Sequence, residues 1–327
     1  MTLSQIEHIE NLLITYQRSL NILREQKAQL GITVPPAIVI QIENLIKKID
    51  DLQYELTQLK APLIYIHNFG DRPEVPPGAT ELEWGKHFAF GEPYRTVPDE
   101  QTWRTLLIPE LEKLREDFGH RGLIRLRTTG ALSVGFAFGY TFREVGQYKL
   151  EVAQFPPFPP PFWYSNEPPP ANTIAPRFTV RQTANNTKAN DLVVIVYATP
   201  GRSPQSVCRA VADYFDEEDG FEGLFRSDDA GAPKKLKGVL LLESEAAAKE
   251  ERFINGWEAA ALARSSRRLV IDVISQVKPE RVNLFLAVPF GLATFLGHQW
   301  NAIGKPVQCY EWIGSTTYKP ACLLNMS

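Results

Sequence analysis

The chain has 327 residues, 44% of them hydrophobic and 22% charged, an ordinary globular composition with room for one large domain or two medium ones plus an accessory element. Its 35 Lys and Arg against 38 Asp and Glu leave a formal net charge of −3. That excludes a coat for long nucleic acid, which needs a strongly basic face, but not the capture of a small anion by a few local donors.

No apolar run reaches the ~18 residues of a membrane span, and the N-terminus reads as charged helix, so neither a span nor a secretory signal is expected. Cys208, Cys309 and Cys322 form no CxxC pair. They fit a reduced, cytoplasmic protein without a disulfide framework or a zinc site. Residues 1–60 carry an a/d seam. Ile6, Ile9, Leu13, Tyr16, Leu20, Leu23 and Leu30 recur at steps of three and four, with one beat missed at Lys27. The pattern resumes at Ile38, Ile42, Leu45, Ile49, Leu52, Leu56 and Leu59, after the break Gly31-Ile32-Thr33-Val34-Pro35-Pro36. Two consecutive helices forming a coiled-coil hairpin are expected. Such a hairpin either pairs with its own copy, docks on a core, or joins a similar helical element on another protein.

Residues 61–120 read as an irregular lead-in with aromatic anchors, ending in a helix from Pro109 to Phe118. Leu123–Arg127 then reads as a strand, Thr128-Thr129-Gly130 as a turn, Ala131 to about Arg143 as a helix and Tyr148–Phe155 as a strand. Val282–Val288, Pro289-Phe290-Gly291, Leu292–Ala302 and Val307–Trp312 repeat that order. GALSVGFAFG (130–139) aligns with GLATFLG (291–297), a weak internal repeat of a βαβ unit. Between them, Leu192–Tyr197 has the continuous apolar character of a buried parallel strand. Thr199-Pro200-Gly201-Arg202 follows as a turn, and a helix starts at Ser203-Pro204. Residues 155–176 hold nine of the 25 prolines, which excludes helix and central strand and marks a hinge between two α/β halves. Residues 216–237 read as a surface loop, and Trp257–Lys278 as a long helix.

The catalytic search is negative. GxxxxGK[ST], GxGxxG, GxSxG and HExxH are all missing, and the five histidines stand at no ligand spacing from one another or from cysteine. What remains is three strand-to-helix turns. In an open parallel sheet these lie at the carboxyl edge, where helix N-termini offer N–H groups to an anion. Arg127, Thr128, Thr129, Arg202 and Ser203 are candidate phosphate contacts there, with Gly130, Ser133, Thr199, Gly201, Pro289 and Gly291 in the turns. Phe136, Tyr140, Trp163, Tyr164 and Phe290 are candidate stacking rings. Gly135, Gly139 and Gly297 mark a close approach, either of helix to sheet or of a ligand, since glycine inside a helix costs ~1 kcal/mol against alanine.

The string NLFLAVPFGLATFLGHQWNAIGKPVQCYEW, then TTYKPACLL, resembles the SAVED domain family, as do ALSVGFAFGYTF, Val152-Ala153-Gln154 and the pair Trp163-Tyr164. The resemblance spans roughly residues 80–325. It implies an α/β fold of two fused CARF-like (Rossmann-like) halves with parallel sheets around one pocket, the first about 80–176 and the second about 190–327, preceded by the helical hairpin. It further implies a sensor of a cyclic oligonucleotide, of cyclic tri- or tetra-adenylate type, in CBASS or type III CRISPR antiphage systems, with head-to-tail self-association on binding. The segment Leu20–Leu59 is similar to a short helical module found beside bacterial effector domains. Since no nuclease, protease, TIR or membrane domain is visible, the expected protein is non-catalytic, without cofactor or metal. It recruits a separate effector through residues 1–60. The alternatives are a ring nuclease that degrades the messenger and a ligand-independent coiled-coil adaptor.

Overall fold

The structure, a computed structural model, describes residues 3–68, 74–88, 96–119, 122–155, 160–201, 203–217, 219, 221–225, 231–249, 252–301, 303–314 and 317–325. Residues Met1–Pro62 and Leu63–Ser327 form two compact units.

In the first unit, helices α1 (Leu3–Leu30) and α2 (Pro36–Lys60) are joined by a 3₁₀ turn at Gly31–Thr33. Gly31 supplies the positive φ of +59° that ends α1, and Pro36 occupies the first turn of α2, where its missing N–H is harmless. Ile9, Leu13, Leu20, Ile42 and Ile49 are buried along the seam, with Tyr16, Leu23, Ile38, Leu45, Leu52, Leu56 and Leu59 packed around them. Leu30, expected to continue the seam, is instead exposed at the bend.

The second unit begins with β1 (Leu63–His67) and β2 (Thr80–Glu83), so the expected irregular lead-in is in fact part of a sheet. The short helix α3 (Glu100–Thr102), capped by Asp99, runs through a π turn at Trp103–Leu107 into α4 (Ile108–Phe118). Next come β3 (Gly122–Thr129), α5 (Leu132–Thr141), β4 (Tyr148–Ala153) and β5 (Phe162–Tyr164). These strands form a sheet of order β2-β1-β3-β4-β5. It is parallel from β2 to β4, and β5 is added antiparallel at the edge. The proline-rich segment therefore does contribute a strand, at the edge position where proline is tolerated.

The second sheet holds β6 (Phe178–Gln182), β7 (Asp191–Tyr197), β8 (Gly238–Ser244), β9 (Arg281–Ala287), β10 (Val307–Gly314) and β11 (Thr317–Leu324), in the order β11-β10-β9-β7-β8-β6. Its four inner strands are parallel and both edges antiparallel, so each sheet is mixed rather than purely parallel. Its helices are α6 (Pro204–Tyr214), α7 (Glu245–Lys249), α8 (Gly256–Val277) and α9 (Phe290–Gln299).

One large core joins the halves, drawing Ile64, Leu126 and Val152 of the first sheet and Val194, Leu242 and Leu284 of the second around α5, α8 and α9. A smaller core lies on the other face of the second sheet, beneath α6. The two glycine-bearing helices meet each other. A Cβ on Gly139 would lie 1.9 Å from the Thr294 carbonyl oxygen, and one on Gly297 would lie 2.0 Å from that of Phe136. The close approach inferred from these glycines is thus helix on helix across the halves, backbone to backbone.

Candidate ligand-binding site

A cavity of about 850 Å³ opens where the two halves meet, at the carboxyl ends of the inner strands. That volume lies within the usual range for small-molecule sites. The first half contributes Thr128, Gly130, Leu132, Gln154, Phe155, Pro161 and Trp163. The second contributes Thr199, Phe253, Ile254, Asn255, Val288, Pro289 and Phe290. Among the described residues that line it none is ionisable, and the polar side chains are two threonines, a glutamine and an asparagine.

Of the residues expected to form a site, the fold brings together Thr128, Gly130, Trp163, Thr199, Pro289 and Phe290. Gly130 makes its turn at φ +134°, a backbone region closed to most side chains. The Thr199 hydroxyl donates to the Ala287 carbonyl at 2.9 Å, holding the turn after β7 against the end of β9. Trp163 forms part of the wall. Its ring occupies a slot made by two helix starts, where a Cβ on Gly291 would lie 2.4 Å away and one on Gly256 3.0 Å away.

The others are placed elsewhere. Arg127 pairs with Glu151 and lies over the Phe162 ring, 4.2 Å from its centroid. Successive strand residues face opposite sides, so with Thr128 lining the cavity Arg127 faces away from it. Phe136 is fully buried against Trp300, with ring centroids 5.2 Å apart, and is a core residue. Tyr140 is buried beside it, stacked at 6.5 Å, and burial raises its hydroxyl pKa above the ordinary value. Ser133 is buried in the first turn of α5. Gly201 (φ +81°) and Ser203 lie in the turn before α6, outside the cavity lining. The Thr129 side chain and all of Arg202 fall outside the described residues.

The expectation that helix N-termini offer their amides to an anion meets a physical correction. Glu311, on β10 of the second half, accepts from the Ser133 N–H at 3.0 Å and the Leu132 N–H at 3.4 Å, capping α5 of the first half. Gln154, just after β4 of the first half, accepts from the Gly291 N–H at 2.8 Å, capping α9 of the second. Each half closes the other's helix, so these amides already have acceptors. The start of α8 is closed by its own capping box, in which Asn255 and Glu258 exchange bonds of 3.1 and 2.9 Å. Arg252 pairs with Glu258 at 2.6 Å.

Sequence reading missed Gln154 as a lining and capping residue, although it stands in Val152-Ala153-Gln154. It also missed Phe253, an exposed apolar ring at the cavity. Asn68 was missed too. It is buried behind Thr128, 3.4 Å from that hydroxyl through Oδ1, and its Nδ2 is buried without an acceptor.

With this geometry in view, the comparisons with known proteins become specific. The A. baumannii Cap4 SAVED/CARF-domain containing receptor bound to the cyclic trinucleotide 2'3'3'-cAAA superposes with a TM-score of 0.58 at 18% identity, covering 88% of this chain and 56% of that one. The chain has the fold of the Cap4 SAVED/CARF receptors. The same receptor with 3'3'3'-cAAA gives 0.56 at 18% identity, again over 88% and 56%. The Moraxella osloensis Cap4 receptor gives 0.51 at 16% identity, over 87% and 54%. This chain therefore spans little more than half the length of those receptors. The family model of SAVED, the SMODS-associated and fused to various effectors sensor domain, matches residues 235–324, which bears out the resemblance read from the C-terminal strings. No match was found among curated proteins. In the SAVED-like body the matched segment runs from just before β8 to the end of β11, and it supplies Pro289 and Phe290 to the cavity and Glu311 to α5.

Proposed function

We propose that this protein is a non-catalytic receptor for a cyclic oligonucleotide of the cyclic tri- or tetra-adenylate type, acting in antiphage defence. One observation carries the reading: a single cavity of about 850 Å³ walled almost equally by two similar halves, in a fold shared with receptors solved with cyclic trinucleotides. The apolar walls suit nucleobases, with Trp163, Phe155, Phe253 and Phe290 as the faces on which they stack. Thr128, Thr199 and Asn255 provide neutral hydrogen-bonding groups for ribose and phosphate oxygens, and the Nδ2 of Asn68 is a buried donor behind them. The described lining residues include no ionisable side chain to serve as a base, which supports reading the ring as bound rather than cleaved. Occupancy is then signalled through association: head-to-tail contact between bodies, and recruitment of a separate effector by the hairpin of residues 1–60.

The test is isothermal titration and thermal melting of the full chain with cyclic di-, tri- and tetra-adenylates, followed by chromatography of the recovered ligand and light scattering of the complex. Binding by at least one ring, recovered intact, with a rise in mass, is the expected result. A ligand at a hundred times its Kd adds ~2.7 kcal/mol to stability. Phe253 is exposed, so Phe253→Ala keeps the fold and weakens binding about tenfold by loss of a stacking face. No shift with any ring refutes the receptor, and recovery of linear product makes the protein a ring nuclease instead.

A further inference from the structure

On the face of the first sheet opposite Thr128, three side chains converge that the function above does not use. Strand β1 ends at His67 and runs parallel to β2, in a register that sets His67 beside Glu83 and Tyr65 beside Glu81. Because side chains alternate along a strand, Glu81 and Glu83 share a face, and His67 and Tyr65 share the same one. The Tyr65 and His67 rings stack at 6.2 Å with 23° between their planes, which orients the imidazole. One ligand atom from each of His67, Glu81 and Glu83 falls within 4.8 Å of the others.

The imidazole provides a second observation. Its side chain is nine-tenths buried (10% exposed) and its Nε2 stands 2.7 Å from Glu81 Oε1. Yet among the described residues this buried nitrogen has no hydrogen-bond partner. A buried ring nitrogen beside a carboxylate oxygen, with no hydrogen bond between them, lets both atoms meet a shared cation.

We propose that His67, Glu81 and Glu83 bind one divalent cation, zinc or manganese. One imidazole and two carboxylates bring three ligand atoms to a single point. Imidazole nitrogen with carboxylate oxygen is a donor set that zinc accepts at about 2.0–2.2 Å and that manganese tolerates. Ligand atoms around such an ion lie about 3–4 Å apart, so atoms now 2.7 Å apart at one pair and no more than 4.8 Å apart overall reach that spacing by small side-chain rotations. The cation ties the ends of β1 and β2 together. The next residue, Asn68, turns to the other face and meets Thr128 at 3.4 Å, so the ion pins the strand end that backs the cavity wall. Sequence spacing conceals the site, because the glutamates follow the histidine at fourteen and sixteen residues, far from the short intervals of metal motifs.

The experiment uses the full chain, freed of metal with EDTA and titrated calorimetrically with Zn²⁺ alone and with Mn²⁺ alone, in the absence of nucleotide. Its outcome is thereby independent of the receptor reading. One equivalent bound at micromolar affinity is expected, weakened at least tenfold by His67→Ala. Glu83→Gln alters an exposed position, so it keeps the fold and should weaken binding likewise. Co²⁺ in place of zinc should give visible d–d bands that the same variants abolish. The proposal is overturned if neither ion binds below about 100 μM, or if both variants bind as the parent does, which would leave His67 and Glu81 as a simple side-chain pair.

Discussion

Replacing Gly139 by alanine sets two physical effects in opposition, and the structure decides which prevails. By helix propensity alone the change stabilises α5 by ~0.8–1 kcal/mol. In the folded body, however, the new methyl would lie 1.9 Å from the Thr294 carbonyl oxygen and 2.7 Å from the His298 amide nitrogen. Moving that carbon from 1.9 Å to an ordinary contact of about 3.4 Å requires α5 and α9 to part by about 1.5 Å. The obstacle is backbone, so no rotamer change relieves it, and a close-packed interior does not absorb such a shift. Overpacking typically costs about 1–3 kcal/mol and sometimes more. A gap of 0.5–1 Å already forfeits a quarter to a half of each dispersion contact along the crossing. The expected net loss is about 2 kcal/mol or more, or a fall of at least ~4 °C in Tm for a body of this size. All six tryptophans lie between residues 84 and 312, so intrinsic fluorescence follows the body without interference from the hairpin. Gly135→Ala is the internal control, since its Cβ meets the Phe290 ring and the Thr294 hydroxyl at 2.9 Å, both movable side chains, and its loss should be smaller. A Gly139→Ala protein melting at or above the parent temperature would refute the backbone contact.

Three further outcomes follow from the same contacts. Glu311→Gln keeps the shape of the α5 cap but removes its charge from a helix N-terminus. It should lower stability by about 1–2 kcal/mol in denaturant titration, and an unchanged midpoint would contradict the cap. Burial holds His298 below the ordinary imidazole pKa, against the pull of the Phe142 carbonyl and of Glu144, so the unfolded chain takes up the proton first. Its contribution is complete above about pH 6.5 and is lost as pH falls through the lowered folded value. Between pH 7 and 5, Tm should therefore drop more steeply in the parent than in His298→Asn, and parallel curves would exclude this. Cys208, Cys309 and Cys322 are all buried, with burial pushing Cys208 up to about 12 and Cys309 well above the ordinary thiol value. A thiol reagent at pH 8 should find no fast-reacting cysteine in the native protein and three in guanidinium; one fast native thiol would overturn the packing described.

Local periodicity made much of the fold legible. The seam of the hairpin, the paired βαβ units and the start of α6 at Pro204 stand close to where the residues put them, although the Ser203 hydroxyl turns to Gln205 and makes no cap hydrogen bond. Strand β2 was not legible, because Thr80-Glu81-Leu82-Glu83 has neither length nor apolar character, and β1 is only five residues long. The site was legible as turns but not as chemistry. Glu311 reaches Ser133 across 178 positions, and no spacing rule connects them. Arg127 is different: strand alternation alone states that it and Thr128 cannot both face one cleft, and that information was in the sequence. The glycines announced close approach correctly, but which surfaces approach is a matter of tertiary packing.

The exchange of caps between the halves has a consequence for how such a protein can change over time. A lobe transplanted from a related chain brings its own residue at 154 or 311, and where that residue is no acceptor the recipient's opposite helix starts with unpaired amides. A recombinant that loses either acceptor therefore starts with a stability deficit of about 1 kcal/mol for each lost cap. The two lobes share a history through two hydrogen-bonding side chains as well as through the peptide that links them.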